Sequence, residues 1–522
     1  MLELAVFLGI YSYLIFLLGI FGFLCKNVII ISTLIYFFLF CIYFFKNRKI
    51  SFINISKLDN FSKLLISLLF IQSLINIFGA LGPETSFDAL WYHLTLPKLY
   101  LQNHLIYHIP GNLLYYSDMP KNIEMLFVTA LAINGEIIAK LISFLFGILC
   151  LVAIYKLARE FLSKQYSLIA VLIFYSNLVV GWQSITSYVD LGRTFFEIVS
   201  FIQFYLWIKT KRKIYLISSA VITGFSIATK TGALDSLLIY LFLILAVSNI
   251  KQISKPILNV LLFFVISIIV ASPWFIFSLI NTGNPFYPIF SNILTLRFGL
   301  EPLGLIKNLI IPSDPINPIY LILIPLVIVF FKKFDFKLKI LTVYSLLGIL
   351  FWFLNSSIGG TRYLLPYLPI LSILSAISIF QIKEINLKKY LIGIVLFLSL
   401  VSIFYRGIAN SKYLPVILGK ESKQNFLIKN LNYSFGDFYD TDGYFKKHIK
   451  SSDKVLLFGF HNLYYVDFPY IDSSWVKKGD KFNFIAVQNG DLPKRFSDWK
   501  KVYYNEKTKV SLYTKGNKTW VY

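Results

Sequence analysis

Charge is what this chain has least of. Only 15% of its 522 residues are charged, and Asp and Glu number 26 against 50 Lys and Arg. Soluble domains carry roughly a quarter charged residues, so one large water-soluble body is excluded. A single core could not hide this much apolar surface, because long chains split into domains. Cysteine is scarce as well. Cys25, Cys41 and Cys150 lie in or beside apolar runs, and residues 407–522 contain none. That excludes a disulfide framework in the tail and leaves the three as small buried hydrophobes. There is no P-loop, no strand-borne GxGxxG, no Ser/His/Asp elbow and no internal repeat. No basic stretch precedes the first apolar run and no small-residue cleavage site follows it, so the first helix is expected to remain uncleaved.

What is present is a series of long apolar runs. They predict an all-α polytopic transmembrane fold of about 13 helices, each run close to the ~17–25 residues that span a bilayer. The runs fall near 4–24, 28–45, 61–80, 136–158, 166–182, 191–208, 214–229, 233–249, 256–276, 317–331, 338–354, 364–380 and 389–406. The net charge of +24 points first to nucleic acid, but its placement redirects the reading. Lys46, Arg48, Lys49 and Lys57 share one connection; Arg159 and Lys164 another; Lys209, Lys211, Arg212 and Lys213 a third. Lys251 and Lys255, then Lys332, Lys333, Lys337 and Lys339, then Lys383, Lys388 and Lys389 continue the series. Every second connection is basic, which marks those as cytoplasmic. The transmembrane part is then 1–406, with large outer loops at 81–135 and 277–316. Residues 407–522 form an extracytoplasmic α/β domain. In that tail, 454–458, 482–487, 501–504 and 509–513 read as strands, and 421–432 and 436–449 as helices. Leu90 to Tyr100 reads as a helix lying at the membrane surface.

The chemistry-bearing residues gather on the outer side. Asp88 and Tyr92 are four apart and share a helical face. Asp88 could take a proton from a hydroxyl, hold a divalent cation, or simply cap a helix. Asp118 and Glu124 follow in the same loop, Glu124 just before an apolar stretch where acids are costly. Lys230 and Arg362 stand at outer span ends, against the positive-inside pattern. An anion such as a phosphate would explain them; a side chain snorkelling to headgroups is the plain alternative. Arg297 and Lys307 are further outer cations. Asp190 and Arg193 are expected to pair with each other. His93, His104 and His108 share the first loop without a structured ligand set.

With these residues in view, the chain resembles the GT-C class of membrane glycosyltransferases, to which protein O-mannosyltransferases and aminoarabinose transferases belong. The likeness is carried by Asp88 in the run from Phe87 to Lys98, by Pro120 to Glu124, and by Lys230 before Thr231 and Gly232. Thr282 to Pro288, Thr361 to Pro366 and Leu418 to Ser422 complete it, in that order. The resemblance implies inverting transfer of a hexosyl or pentosyl group from a polyprenyl-phosphate donor. The acceptor would be a glycan, lipid or protein outside the cell membrane. It implies Asp88 as base or metal ligand, Lys230 and Arg362 as phosphate partners, and Tyr92, His93, Asp118 and Glu124 as substrate-binding groups. Members often carry two adjacent acids; here Ala89 follows Asp88, so Asp118 or Glu124 would supply a second. The rival class is a transporter or lipid flippase, which would show repeats and mid-membrane polar residues.

The topology is testable. Reporter fusions after residues 57, 211 and 335 should report cytoplasm, and fusions after 110, 300 and 450 the outside. A cytoplasmic tail would overturn the orientation.

Overall fold

Backbone groups in hydrocarbon must be satisfied internally, and a helix does this within one segment. In the computed structural model, which describes residues 1–47, 58–291, 315–354, 360–516 and 518–522, helices dominate up to residue 411. They are α1 (Leu2–Ile20), α2 (Lys26–Asn47), α3 (Asn60–Leu81), α4 (Thr95–Asn103), α5 (Asn122–Ile133), α6 (Glu136–Ala158), α7 (Lys164–Tyr175) and α8 (Leu178–Gln183). Then come α9 (Asp190–Thr210), α10 (Lys213–Thr229), α11 (Leu234–Ile250), α12 (Pro256–Thr282), α13 (Tyr320–Phe330), α14 (Phe336–Leu354), α15 (Leu368–Gln381) and α16 (Ile385–Ser411). Among the described residues, nine helices are long and apolar enough to cross a membrane. The four other expected spans coincide with α7–α8, α9, α10 and α13. These are shorter or, in α9, interrupted by Asp190, Arg193 and Glu197. The chain is a multi-pass membrane protein with a small C-terminal sheet domain.

The bundle is apolar outside as well as inside. Leu34, Phe37, Phe38 and Leu39 on α2, and Phe397 and Phe404 on α16, are exposed. Contiguous apolar surface of this kind suits lipid, not water. The interior instead holds small polar residues. Ser200 Oγ on α9 lies 2.9 Å from Ser219 Oγ and 2.8 Å from Thr223 Oγ1 on α10. A Cβ at Gly224 would come within 2.7 Å of the Ser267 carbonyl on α12. Small residues thus let α10 and α12 approach closely, the usual basis of helix association in lipid. Helix α15 is almost wholly buried and α2 almost wholly peripheral.

Several local expectations change. The run 166–182 is broken, because Asn177 Nδ2 donates to the carbonyls of Ile173 and Phe174 at 3.0 and 2.7 Å and ends α7. The stretch after Asp88 is not a membrane-surface helix. It is a π-turn at Ala89–His93 followed by α4, with Leu90, Leu94, Leu96 and Tyr100 all buried. Helix 436–449 shrinks to Tyr444–His448. Asp437 and Asp440 accept from the backbone N–H groups of Asn432 and Lys446, holding a loop instead. Cys150 is buried, whereas Cys25 and Cys41 are only half-buried. Arg48, Lys49, Lys57, Arg297 and Lys307 lie outside the described residues.

The tail carries a five-stranded sheet in the order β2-β1-β4-β6-β5. Its strands are β1 (Val455–Phe458), β2 (Tyr470–Asp472), β4 (Phe484–Gln488), β5 (Lys500–Asn505) and β6 (Val510–Thr514). β3 (Lys481–Phe482) pairs with β7 (Trp520–Val521) separately. β1 runs parallel to β2 and β4, while β6 is antiparallel to β4 and β5. Alternation puts Val455 and Leu457 in the core continuous with the bundle and Leu456 in a small second core with Ile485 and Trp499. The tail is clamped to the first long loop. Lys98 Nζ donates to the carbonyls of Tyr464 (2.7 Å) and Val466 (2.8 Å) and pairs with Asp467 Oδ1 at 3.0 Å.

Lys98→Met should therefore loosen this docking. Leaving partly buried carbonyls without a donor costs about 1–3 kcal/mol. Limited proteolysis should cut more readily between residues 411 and 470, with the bundle resistant; unchanged cleavage would show that the clamp is dispensable.

Candidate active site

The site is assembled around the end of α3. That helix stops at Gly82 before Pro83, leaving carbonyls without intrahelical partners. Lys140 Nζ, fully buried on α6, accepts that duty by donating to the Gly79, Gly82 and Pro83 carbonyls at 2.9, 2.7 and 3.1 Å. Glu84, also fully buried, follows. Its Oε1 accepts from the N–H groups of Thr85 and Ser86 at 2.9 Å, and its Oε2 from that of Ser187 at 2.6 Å. One carboxylate thereby fixes two separate turns, 84–88 and 187–190. Tyr188 closes the arrangement, its hydroxyl accepting from the Asp88 N–H at 3.0 Å.

Asp88 stands at the start of the π-turn without capping it. The cap reading is thus replaced by an ion pair: Arg362 Nη2 lies 2.7 Å from Asp88 Oδ2, with both side chains mostly buried. Tyr92 donates its hydroxyl to the same oxygen at 3.3 Å. Burial, with the Asp88 charge beside it, pushes the Tyr92 phenol well above its ordinary value, so it stays protonated as a donor. Arg362 comes from a 3-10 turn, Thr361–Tyr367, packed on α9. Lys230 ends α10 and pairs with Asp190 Oδ1 at 2.7 Å. The two cations share one ring: Tyr363 lies 4.2 Å from Lys230 Nζ and 5.6 Å from the Arg362 guanidinium. Arg362 also feels the Asp190 charge directly. Two acids and two cations therefore meet around Tyr363 and Tyr188. Among the described residues, Asp190 Oδ2 and Arg362 Nε are buried without hydrogen-bond partners.

The other candidates are placed beside this cluster, not in it. His93 Nδ1 lies 2.9 Å from Glu124 Oε1, both buried. Asp118 Oδ2 bonds His108 Nδ1 and Ser117 Oγ, each at 2.7 Å. The second carboxylate beside Arg362 and Lys230 is that of Asp190, while Glu124 and Asp118 are bonded to His93 and His108. Asp190 does not pair with Arg193, whose guanidinium goes instead to the Gly232 carbonyl at 2.9 Å and to Glu197 at 3.7 Å. His104 bonds the Leu24 carbonyl, so the three histidines are dispersed. Among the described residues no three His, Cys, Asp or Glu converge. Asp88 and Asp190 each already hold a cation. Among the described residues, those around Asp88 do not make a divalent-cation donor set.

Sequence reasoning missed Glu84, Lys140, Tyr188 and the role of Asp190. Glu84 and Lys140 did carry a signal: each is an isolated charge at the edge of an apolar run, where a charge is costly unless bonded.

Residues 125–277 match the family model described as dolichyl-phosphate-mannose-protein mannosyltransferase. No match to a curated protein is found by sequence. The fold is similar to the crystal structure of ArnT from Cupriavidus metallidurans bound to undecaprenyl phosphate. The TM-score is 0.59 at 11% identity, over 87% of this chain and 98% of that one. The apo state of the same protein gives 0.57 at 12% identity, over 86% and 97%. The archaeal oligosaccharyltransferase AglB from Archaeoglobus fulgidus, in complex with an inhibitory peptide and a dolichol-phosphate, aligns at a TM-score of 0.48. Identity is 11%, over 82% of this chain and 70% of that one. The fold is that of the GT-C class of membrane glycosyltransferases, the class that the residues around Asp88 resemble.

Glu84→Gln offers an amide N–H2 where one of three backbone N–H groups needs an acceptor. It should destabilise by about 1–3 kcal/mol, read as a lower melting temperature in detergent or lipid discs. Lys140→Met, which frees three carbonyls, should act in the same direction; wild-type stability in both would show that the turn holds itself.

Proposed function

We propose that this protein transfers a sugar from a polyprenyl-phosphate carrier to an acceptor hydroxyl at the extracytoplasmic face of the cell membrane. The observation that carries this reading is the convergence of Asp88 with two cations, Arg362 and Lys230, around the Tyr363 ring. Glycosyl transfer needs a base for the attacking hydroxyl and positive charge for the departing phosphate. The likeness of fold to a protein bound to undecaprenyl phosphate supports a lipid phosphate as the leaving group. Exposed apolar helix faces, such as those of α2 and α16, suit its hydrocarbon chain.

The chemistry follows from the pairs. At rest Asp88 Oδ2 is occupied by Arg362 and Tyr92, and Asp190 holds Lys230. A base needs a free lone pair aimed at the proton it takes. The donor phosphate attracts Arg362 and Lys230 and draws them away from their carboxylates, which frees Asp88 Oδ2 beside the Oδ1 that neither Arg362 nor Tyr92 holds. The acceptor oxygen then attacks the anomeric carbon while its proton passes to Asp88. The bond from that carbon to the phosphate oxygen breaks, and polyprenyl phosphate leaves with its added negative charge held by the two cations. A single displacement of this kind inverts the anomeric centre. Tyr92 and Tyr188 keep Asp88 in register throughout.

Asp88→Asn keeps the size of the side chain and removes the base. Transfer should fall by about 100-fold or more in purified, folded protein given polyprenyl-phosphate sugar. Lys230→Gln and Arg362→Gln should each weaken donor use by about tenfold, whereas Lys98→Met should leave the donor KM unchanged. Near-normal turnover in Asp88→Asn removes it from the mechanism; normal donor use in both cation variants makes them headgroup anchors.

A further inference from the structure

A cavity of about 1160 Å³ lies away from Asp88, between the tail and the segment that runs from α4 to Pro110. Ligand pockets for small molecules measure about 300–1,000 Å³, so this one has room for several linked units. Its walls come from both parts of the chain: residues 99–110 on one side, and 438–480 of the tail, with Gln424, on the other. The Lys98 clamp holds these two walls at a fixed separation.

The lining states a chemistry. Tyr107, Tyr439 and Trp475 present half-buried aromatic rings. Such rings offer an apolar face with a polar edge, which suits the C–H face of a sugar ring. Gln102 is exposed at the rim with an amide that both donates and accepts; Asn103 beside it gives its amide N–H groups to the Leu99 carbonyl and the Tyr107 hydroxyl and leaves its carbonyl oxygen as an acceptor. That matches hydroxyl groups, which need both. The lining charges nearly balance: Lys446, Lys454 and Lys477 stand with Asp440, Asp467 and Asp480, of which Asp467 is also paired with Lys98 behind the wall. An anionic polymer would want an excess of the first three, and the cleft has none. In a tail with this much lysine, such local balance marks the cleft off from its surroundings.

Contacts also run from the cavity wall to the reactive carboxylate. His108, on the wall, bonds Asp118 at 2.7 Å. Asp118 ends the 3-10 turn Tyr115–Asp118. Tyr116 of that turn stacks on Tyr92 with centroids 3.7 Å apart and planes 6° from parallel, and Tyr92 donates to Asp88.

We propose that this cleft binds a neutral oligosaccharide, the glycan part of the acceptor. Its role as acceptor rests on the glycosyltransferase reading; the binding itself does not.

The test uses full-length protein in lipid discs without donor. The probes are four neutral hexasaccharides (α-glucan, β-glucan, β-mannan and chitin-type), with dextran sulfate as the polyanion. Titration calorimetry should show saturable binding of at least one hexasaccharide and none of comparable strength for dextran sulfate. Trp475→Ala should weaken it by about tenfold, roughly one aromatic contact. Gln102→Ala, at an exposed position that cannot perturb folding much, should weaken it severalfold. Asp88→Asn should bind as wild type does. No saturable binding by any hexasaccharide, tighter binding of dextran sulfate, or unchanged affinity in both Trp475→Ala and Gln102→Ala overturns the proposal. If saccharide binding holds while Asp88→Asn retains transfer, the cleft stands and the catalytic reading falls.

Discussion

The ion pair between Asp88 and Arg362 ties the first long loop to the turn that opens α15, more than 270 residues later in the chain. Charges held mostly out of water at the edge of an apolar bundle are tolerable only in pairs. That one requirement explains why the neighbouring groups are where they are. Arg362 needs Asp88 and senses Asp190; Lys230 needs Asp190; Tyr188 and Tyr363 supply rings for the cations to rest on. Behind them, Glu84 accepts from three backbone N–H groups and Lys140 donates to three backbone carbonyls, which holds the carboxylates still.

The same pairing underlies the chemistry proposed for the site. Two carboxylate–cation pairs form a charge-balanced cluster that an entering phosphate would rearrange, because a phosphate competes for the same two cations. The exchange needs little motion: Arg362 and Lys230 already share the Tyr363 ring. In this account Arg362 leaves Asp88 Oδ2 as the leaving group is bound.

The bundle was legible in the sequence because lipid imposes length and apolarity on every span, and each predicted run meets a helix. Four of the tail strands, β1, β4, β5 and β6, were legible from their alternation; the short β2, β3 and β7 were not. Asp88, Tyr92, Lys230 and Arg362 were legible as polar residues in places where such residues are costly, and the structure joins all four. What could not be read was the pairing. Asp190 lies three residues from Arg193, and the local partner was the natural choice. Yet on α9 the side chain three residues away turns toward Glu197 and Gly232, and Lys230 comes from another helix. The π-turn at Ala89–His93 and the break at Asn177 were hidden for a similar reason. Each combines local hydrogen bonds with one to a group far along the chain: Asn317 N–H on Asn177 Oδ1 at 2.7 Å, and Asp88 N–H on the Tyr188 hydroxyl at 3.0 Å.

The claim at the centre is that the donor phosphate and Asp88 compete for Arg362. The direct measurement is the affinity of purified Asp88→Asn for unglycosylated polyprenyl phosphate in lipid discs. Removing a competing anion should free Arg362, so the account predicts tighter binding than wild type, by about tenfold for ~1.4 kcal/mol of released pairing. Unchanged or weaker binding would contradict it, because Arg362 would then be held to its carboxylate for structure and not exchanged with the phosphate.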